Sequence, residues 1–334
     1  MIRAAGVALP VAGALLASAM VLRAVGIDPL AYYGLVVSHG LLTPRGLAES
    51  AIRSAPLLLL AASLMVSFSA GLWNLGGDGQ FLLAAVAVSA LCPLLDDAAG
   101  PWLALPAGLV VAAVAGALWA ALPAFLRAWR GVNEIITTLM MSFLGASLAN
   151  ALIKLAFRDP TTTVPRTRIL PVPDRLPRLF GSTVHAGVLL ALGVLLAMHL
   201  LLAHTAWGLR LRTLGAGARA ARHVGIDLPR TTFVALLVSG ALAGLAGGVD
   251  ILGVWGGVRA DWNPAFGLSV VALVFLARLN GWAIAALVPL FAMLSVGGES
   301  ATIRLGVPSS FSLVFVALLL LFLAGSEAVA RARG

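Results

Sequence analysis

Apolar residues run in long blocks along this chain, separated by short polar stretches rather than interleaved with them. Blocks near the roughly 20 residues that cross a bilayer fall at 4–25, 50–71, 80–98, 102–126, 133–154, 184–204, 231–252 and 309–324. Two shorter ones follow one another at 266–279 and 282–298. The pattern predicts an all-α integral membrane protein, a single polytopic domain over residues 1–334 with about ten transmembrane helices. Ala17-Ser18-Ala19 after Arg3 has the form of a signal-peptidase site, but the apolar run continues past it, which favours a retained first helix.

Composition agrees. Of 334 residues 61% are apolar and only 10% charged, against about 45–50% and 25% in soluble domains. A soluble enzyme, a secreted disulfide scaffold and a disordered chain are thereby excluded. The net charge of +9 comes almost entirely from arginine, with Lys154 the only lysine. No basic patch is interleaved with stacking aromatics, so anionic lipid rather than nucleic acid accounts for the charge. Cys92 stands alone, and His199 and His204 lie five apart, off the shared face that a helical metal pair needs. No metal site is expected.

With ten spans both termini share a side. Arg3, Arg127 with Arg130, the block Arg210–Arg230, Arg278, and Arg331 with Arg333 all fall there, while Asp96 and Asp97 fall opposite. The positive-inside rule puts that side in the cytoplasm. Residues 155–183, which carry five arginines, five prolines and two acids, are then outside.

Trp73-Asn74 precedes Gly76-Gly77-Asp78-Gly79-Gln80 and a span, and Trp262-Asn263 precedes Pro264-Ala265-Phe266-Gly267 and another. Two spans interrupted at matching places predict an internal repeat with broken or re-entrant helices. Polar groups at membrane depth need a partner or a wet cavity. Asn74, Asp78, Gln80, Asn133, Glu134 and Thr137 are therefore candidates for a translocation path. Two of them have a plainer role open to them: Asp78 can hold the break by accepting backbone N–H groups, and Glu134 can complement a helix N-terminus. Gly240, Gly244 and Gly248 recur every four residues, a face for close helix packing. Residues 207–230 form a basic cytoplasmic segment, with a short helix expected over Ala216–Val224 between glycines. Gly215, Arg219, Ala220, Ala221, Arg222 and Gly225 suit either a helix resting on lipid headgroups or a knob for another subunit. Few bulky apolar anchors are present, which favours the knob.

Three stretches carry a family resemblance: Trp73-Asn74-Leu75-Gly76-Gly77-Asp78-Gly79-Gln80, Gly131-Val132-Asn133-Glu134-Ile135-Ile136-Thr137-Thr138, and Arg212–Ile226 running into Ser239–Gly248. Together they resemble permease subunits of bacterial ABC importers, in the nucleoside branch of the ribose and branched-chain amino-acid permease group. The departures, Trp73 for Phe and Asp78 for Glu, are mild. The resemblance implies a subunit of the inner membrane that binds no cofactor, with ATP and Mg used by a separate cytoplasmic ATPase. It further implies a second permease chain, more often a different one than a copy, and an external solute-binding protein. The absence of a Gly-x-x-x-x-Gly-Lys-Ser/Thr loop is consistent with this. The expected solute is a nucleoside, with a simple sugar such as ribose as the alternative. A self-sufficient ion-coupled transporter is the rival, with Asp78, Glu134 and Asp250 as its available acids.

Overall fold

A computed structural model describes residues 5–179 and 181–307 and the single positions 311, 314, 317, 318, 321, 322 and 325, with residues 5–11 by their backbone alone. The described residues form twelve α-helices: α1 (Ala5–Ala24), α2 (Pro29–Val37), α3 (Pro44–Ser69), α4 (Gly77–Ala99), α5 (Pro101–Arg130), α6 (Glu134–Leu155), α7 (Gly187–His204), α8 (Ala206–Ala216), α9 (Ala218–His223), α10 (Leu228–Asp250), α11 (Phe266–Leu276) and α12 (Gly281–Leu305). No strand occurs among them beyond two isolated bridges. Seven of the helices, α3–α7, α10 with its following turn, and α12, are long and apolar enough to cross a membrane.

The ten-span expectation is met approximately. Nine expected spans coincide with α1, α3–α7, α10, α11 and α12, although Ala12–Ala24 of α1 and the whole of α11 are shorter apolar stretches. The tenth, 309–324, lies largely outside the described residues. Two helices were not foreseen, α2 and α8. α2 starts where Asp28 accepts the Leu30 N–H and Pro29 sets the first helical position, then continues as a π-turn over Ser38–Leu42. Tyr32 and Val36 on α2 are buried in a satellite core with Leu22, Ala301, Val307 and Phe311. The same start signal recurs: Thr43 with Pro44 opens α3, Asn133 opens α6, Thr205 opens α8, Asp227 opens α10 and Asn280 opens α12.

Burial ranks the helices. α3 and α10 are the most enclosed, while α5, α6 and α7 turn most of their surface outward, as helices facing lipid do. α10 reaches the centre through its glycines. Gly240, Gly244 and Gly248 lie against Ala112, Gly116 and Ala120 of α5, so closely that any added Cβ would overlap them.

The bundle has two distinguishable ends. At one, α8 covers the end of α3, where Gly215 touches Ser69 and Gly71, and α9 follows it against α10. At the other, residues 155–186 run alongside 252–260 with backbone bonds from Leu176 to Leu252, Leu170 to Gly256, Thr167 to Val258 and Ala260 to Pro165. Arg175 reinforces this clamp by donating to Leu170 O at 2.9 Å and Val254 O at 2.6 Å. Arg168 on the same segment pairs with Asp97 at the end of α4.

Candidate functional site

The predicted break is present. α3 ends beside α8, the chain turns at Gly71, and residues 72–76 re-enter the bundle before α4 begins. Asn74 is 2% and Gln80 1% exposed, so both need partners, and they have them. Asn74 Nδ2 donates to Gln80 Oε1 at 3.0 Å and to Ser239 Oγ at 2.8 Å. Asn74 Oδ1 accepts from Gln80 Nε2 and from Gly76 N, both at 3.1 Å. Ser63 Oγ on α3 joins by donating to Ser239 O at 2.7 Å. From α6, Thr138 Oγ1 accepts the Leu75 N–H and Ser142 Oγ accepts the Gly79 N–H, each at 3.1 Å. A polar knot thus fastens three spans to the break, with its groups satisfied as burial demands.

The second Trp-Asn pair makes the same turn. Asn263 Oδ1 accepts the Ala265 N–H at 2.9 Å, as Asn74 does for Gly76. In each case a helix starts three residues after the asparagine, α4 and α11. The tryptophans are exchanged between halves: Trp73 packs on Phe275 of α11, and Trp262 packs on Phe81 of α4. Asp78 and Gly267, which hold equivalent places 189 residues apart, meet directly through Gly267 N donating to Asp78 Oδ1 at 2.8 Å. The carboxylate sits in the first turn of α4 and binds the first turn of α11, so it faces the positive ends of two helices. Asp78 thus accepts a backbone amide, as the plainer role required, but that of Gly267 at the second break rather than one of its own.

The remaining candidates are placed as follows. Asn133 caps α6 by accepting the Ile135 N–H at 2.9 Å, and Thr137 donates to Asn133 O and Glu134 O of its own helix. Glu134 is buried and pairs with Arg127 at 3.1 Å across the α5–α6 turn. A cavity of about 140 Å³ is lined by Asn74 and Asp78 together with Ser142, Asn263 and Gly267. Gln80, Asn133, Glu134 and Thr137 line neither this cavity nor the larger one described next.

That larger cavity, about 820 Å³, opens between α3, α12 and the chain leading into α11. Its walls include Arg53, Asp250, Trp255, Trp262, Phe266 and Glu299. Arg53 holds Glu299 in a two-pronged pair, one branch at 2.8 Å. Charges balance: Arg45, Arg53 and Arg304 face Glu49, Asp250 and Glu299, which suits a neutral polar solute. Sequence reasoning missed Arg53, Trp255 and Glu299. The available signal was charge inside apolar blocks, since Arg53 and Glu299 stand at the edges of the spans expected at 50–71 and 282–298.

The helix expected over Ala216–Val224 is split by Gly217 into the end of α8 and the short α9. Gly215 abuts α3, and Gly225 has φ +76°, a conformation glycine adopts without strain. Arg219, Ala220 and Arg222 are exposed. Ala221 is fully buried against its own chain. Of the two alanines that suited a knob for another subunit, Ala221 packs inward against the bundle and Ala220 faces out.

Among known proteins, the family described as branched-chain amino acid transport system permease component matches residues 46–324. The glucose ABC transporter permease protein TsgB13 of Haloferax volcanii is 32% identical over 97% of this chain and 88% of its own. The guanosine ABC transporter permease protein NupP of Bacillus subtilis is 27% identical over 84% of this chain and 81% of its own. The nucleoside ABC transporter permease protein NupB of Lactococcus lactis is 26% identical over 92% and 87%. Broken helices, a balanced polar cavity and relatives matched nearly end to end converge: the chain belongs to the permease components of branched-chain amino acid-type transport systems, as a membrane subunit of an ABC importer of the nucleoside and sugar branch.

Proposed function

We propose that this subunit, as one polytopic domain, forms half of an alternating-access path for a nucleoside, moved by an ATPase bound at α8–α9. In this reading the α8–α9 end and both termini face the cytoplasm, and residues 155–183 face a solute-binding protein outside the inner membrane. The second permease is a different chain, and ATP and Mg act only on the ATPase. The purified chain itself turns over no ATP. The observation that carries the solute class is the balanced cavity beside Trp255, Trp262 and Phe266, together with guanosine and nucleoside permeases among the relatives. A simple sugar is the second reading, favoured by the glucose permease that matches 97% of the chain.

Uptake of labelled adenosine by vesicles holding the complete importer tests this. Competition by unlabelled nucleosides is the expected result. Competition by glucose or ribose and not by nucleosides overturns the nucleoside reading in favour of the sugar one.

Coupling follows from the contact of Gly215 with Ser69 and Gly71. A push on α9 is passed through α8 to the end of α3 and the first break. Ala220→Glu, which changes an exposed position, is expected to abolish ATPase binding and uptake together while membrane level is kept. Normal uptake and copurification of the ATPase with this variant would sink the docking assignment.

A further inference from the structure

We propose that Asp250, Trp255 and Trp262 form a recognition subsite for the vicinal hydroxyls and ring of the solute, a specificity site within the large cavity; the inference rests on the nucleoside-or-sugar reading above. Asp250 is the last residue of α10 and is 7% exposed, yet it borders the cavity. A carboxylate so placed among apolar spans is costly unless it meets donors. α10 passes into a π-turn over Ile251–Trp255, and Asp250 and Trp255, at its two ends, both line the cavity. Five residues separate the two, and the wider i, i+5 turn brings onto one side groups that an α-helix would splay apart.

Trp255 is half exposed and presents ring surface to the cavity. The Asp250 carboxylate has about four acceptor sites, enough to accept a pair of adjacent hydroxyls. Trp262 stands edge-on to Trp255 with centroids 6.0 Å apart, giving the ring of a solute a second aromatic wall. Trp255, Trp262 and Phe266 supply flat apolar surface and Asp250 the hydroxyl acceptor, while Arg53 and Glu299 on the same wall neutralise each other. A neutral ring bearing a cis diol, as in a ribonucleoside or a hexose, matches this set.

The test compares uptake of adenosine and 2′-deoxyadenosine by the complete importer, for the unaltered chain, Asp250→Asn and Trp255→Phe. Each variant is read as the ratio of the two rates relative to the unaltered chain with the same binding protein, so selection upstream cancels. Asp250→Asn is expected to slow adenosine about tenfold, as loss of a charged acceptor does, and to bring the ratio near that of a carrier blind to the 2′-hydroxyl. Trp255→Phe, which keeps ring and carboxylate, is expected to shift the ratio the same way by a smaller factor, and it serves alone if Asp250→Asn fails to insert. An unchanged ratio in an inserted variant overturns the subsite while leaving the importer reading intact. If the unaltered importer carries neither adenosine nor glucose, both readings fail together.

Discussion

The break before α4 and the break before α11 begin with the same Trp-Asn pair and the same asparagine turn, yet they are held in different ways. Asn74 is buried in a knot that reaches α3, α6 and α10. Asn263 is exposed and its residue bonds stay local. The first break bends through glycine, at Gly71 with φ +70°. The second bends through residues that resist it: Asp261 and Ala265 have φ of +63° and +51°, and Arg278 and Leu279 beyond α11 have +52° and +58°. All four non-glycine residues with positive φ among the described ones therefore flank α11. Such backbone costs about 1–3 kcal/mol per residue and survives only where surroundings impose it. One break is a fixed joint, and the other is a sprung element beside the cavity.

The largest expected effect sharpens that contrast. Asn74→Ala strips partners from Gln80, Ser239 and the Gly76 N–H at a buried site. At about 1–3 kcal/mol for each unsatisfied group, a loss of roughly 3 kcal/mol or more is expected. Asn263→Ala, at an exposed position, should cost under about 1 kcal/mol. Thermal unfolding of both variants in detergent checks this, and equal losses would erase the distinction between the breaks.

The sequence revealed the spans, the breaks and their pairing, because apolar length and the Trp-Asn-Gly pattern are local signals. It did not reveal what each polar residue faces. Asn74 and Gln80 look in sequence like path residues, and only the approach of Ser63, Ser239, Thr138 and Ser142 from distant spans encloses them. The cavity was hidden for the same reason: Arg53 and Glu299 lie 246 residues apart and become a pair only through packing of α3 on α12. α2 was hidden because nine residues are too few for a periodic apolar signal to stand out.

Next in size is a pH effect on the clamp over the second break. His185 is buried, and its ring lies against Gly253 in the π-turn that leads there. Burial lowers its pKa from 6.5 to about 4, so the folded chain keeps the ring neutral where the unfolded chain takes up a proton. The stability held above pH 6.5 is lost progressively as pH falls toward 4, on the order of 3 kcal/mol in all. His185→Phe should flatten unfolding temperature across that window, and an unaltered slope would remove His185 as its cause.

A smaller effect is expected where the two breaks touch. Asp78→Asn keeps the acceptor for the Gly267 N–H but withdraws the negative charge from between two helix N-termini. About 1–2 kcal/mol of stability should go, and the variant's stability should no longer respond to salt as the unaltered chain's does. Equal stability and equal salt response would mean that hydrogen bonding alone joins the halves.

The smallest expected change has the opposite sign. Ala265 immediately precedes α11 with φ +51°, and its side chain is exposed, so removing its Cβ sacrifices no packing. Ala265→Gly relieves a left-handed strain of about 1–2 kcal/mol but gives the unfolded chain extra freedom, about 0.4–1 kcal/mol in the other direction. A net gain of roughly 0.5–1 kcal/mol is expected. At the first break the reverse exchange, Gly71→Ala, should destabilise, since φ is +70° and a Cβ would sit 3.0 Å from the Gly215 backbone. If stored strain at Ala265 helps α11 leave its place during transport, the stabilised Ala265→Gly importer should also turn over more slowly at unchanged membrane level. Faster or equal uptake by a demonstrably more stable variant would show that the strain is a passive cost of the turn, and the second break would then be as fixed as the first.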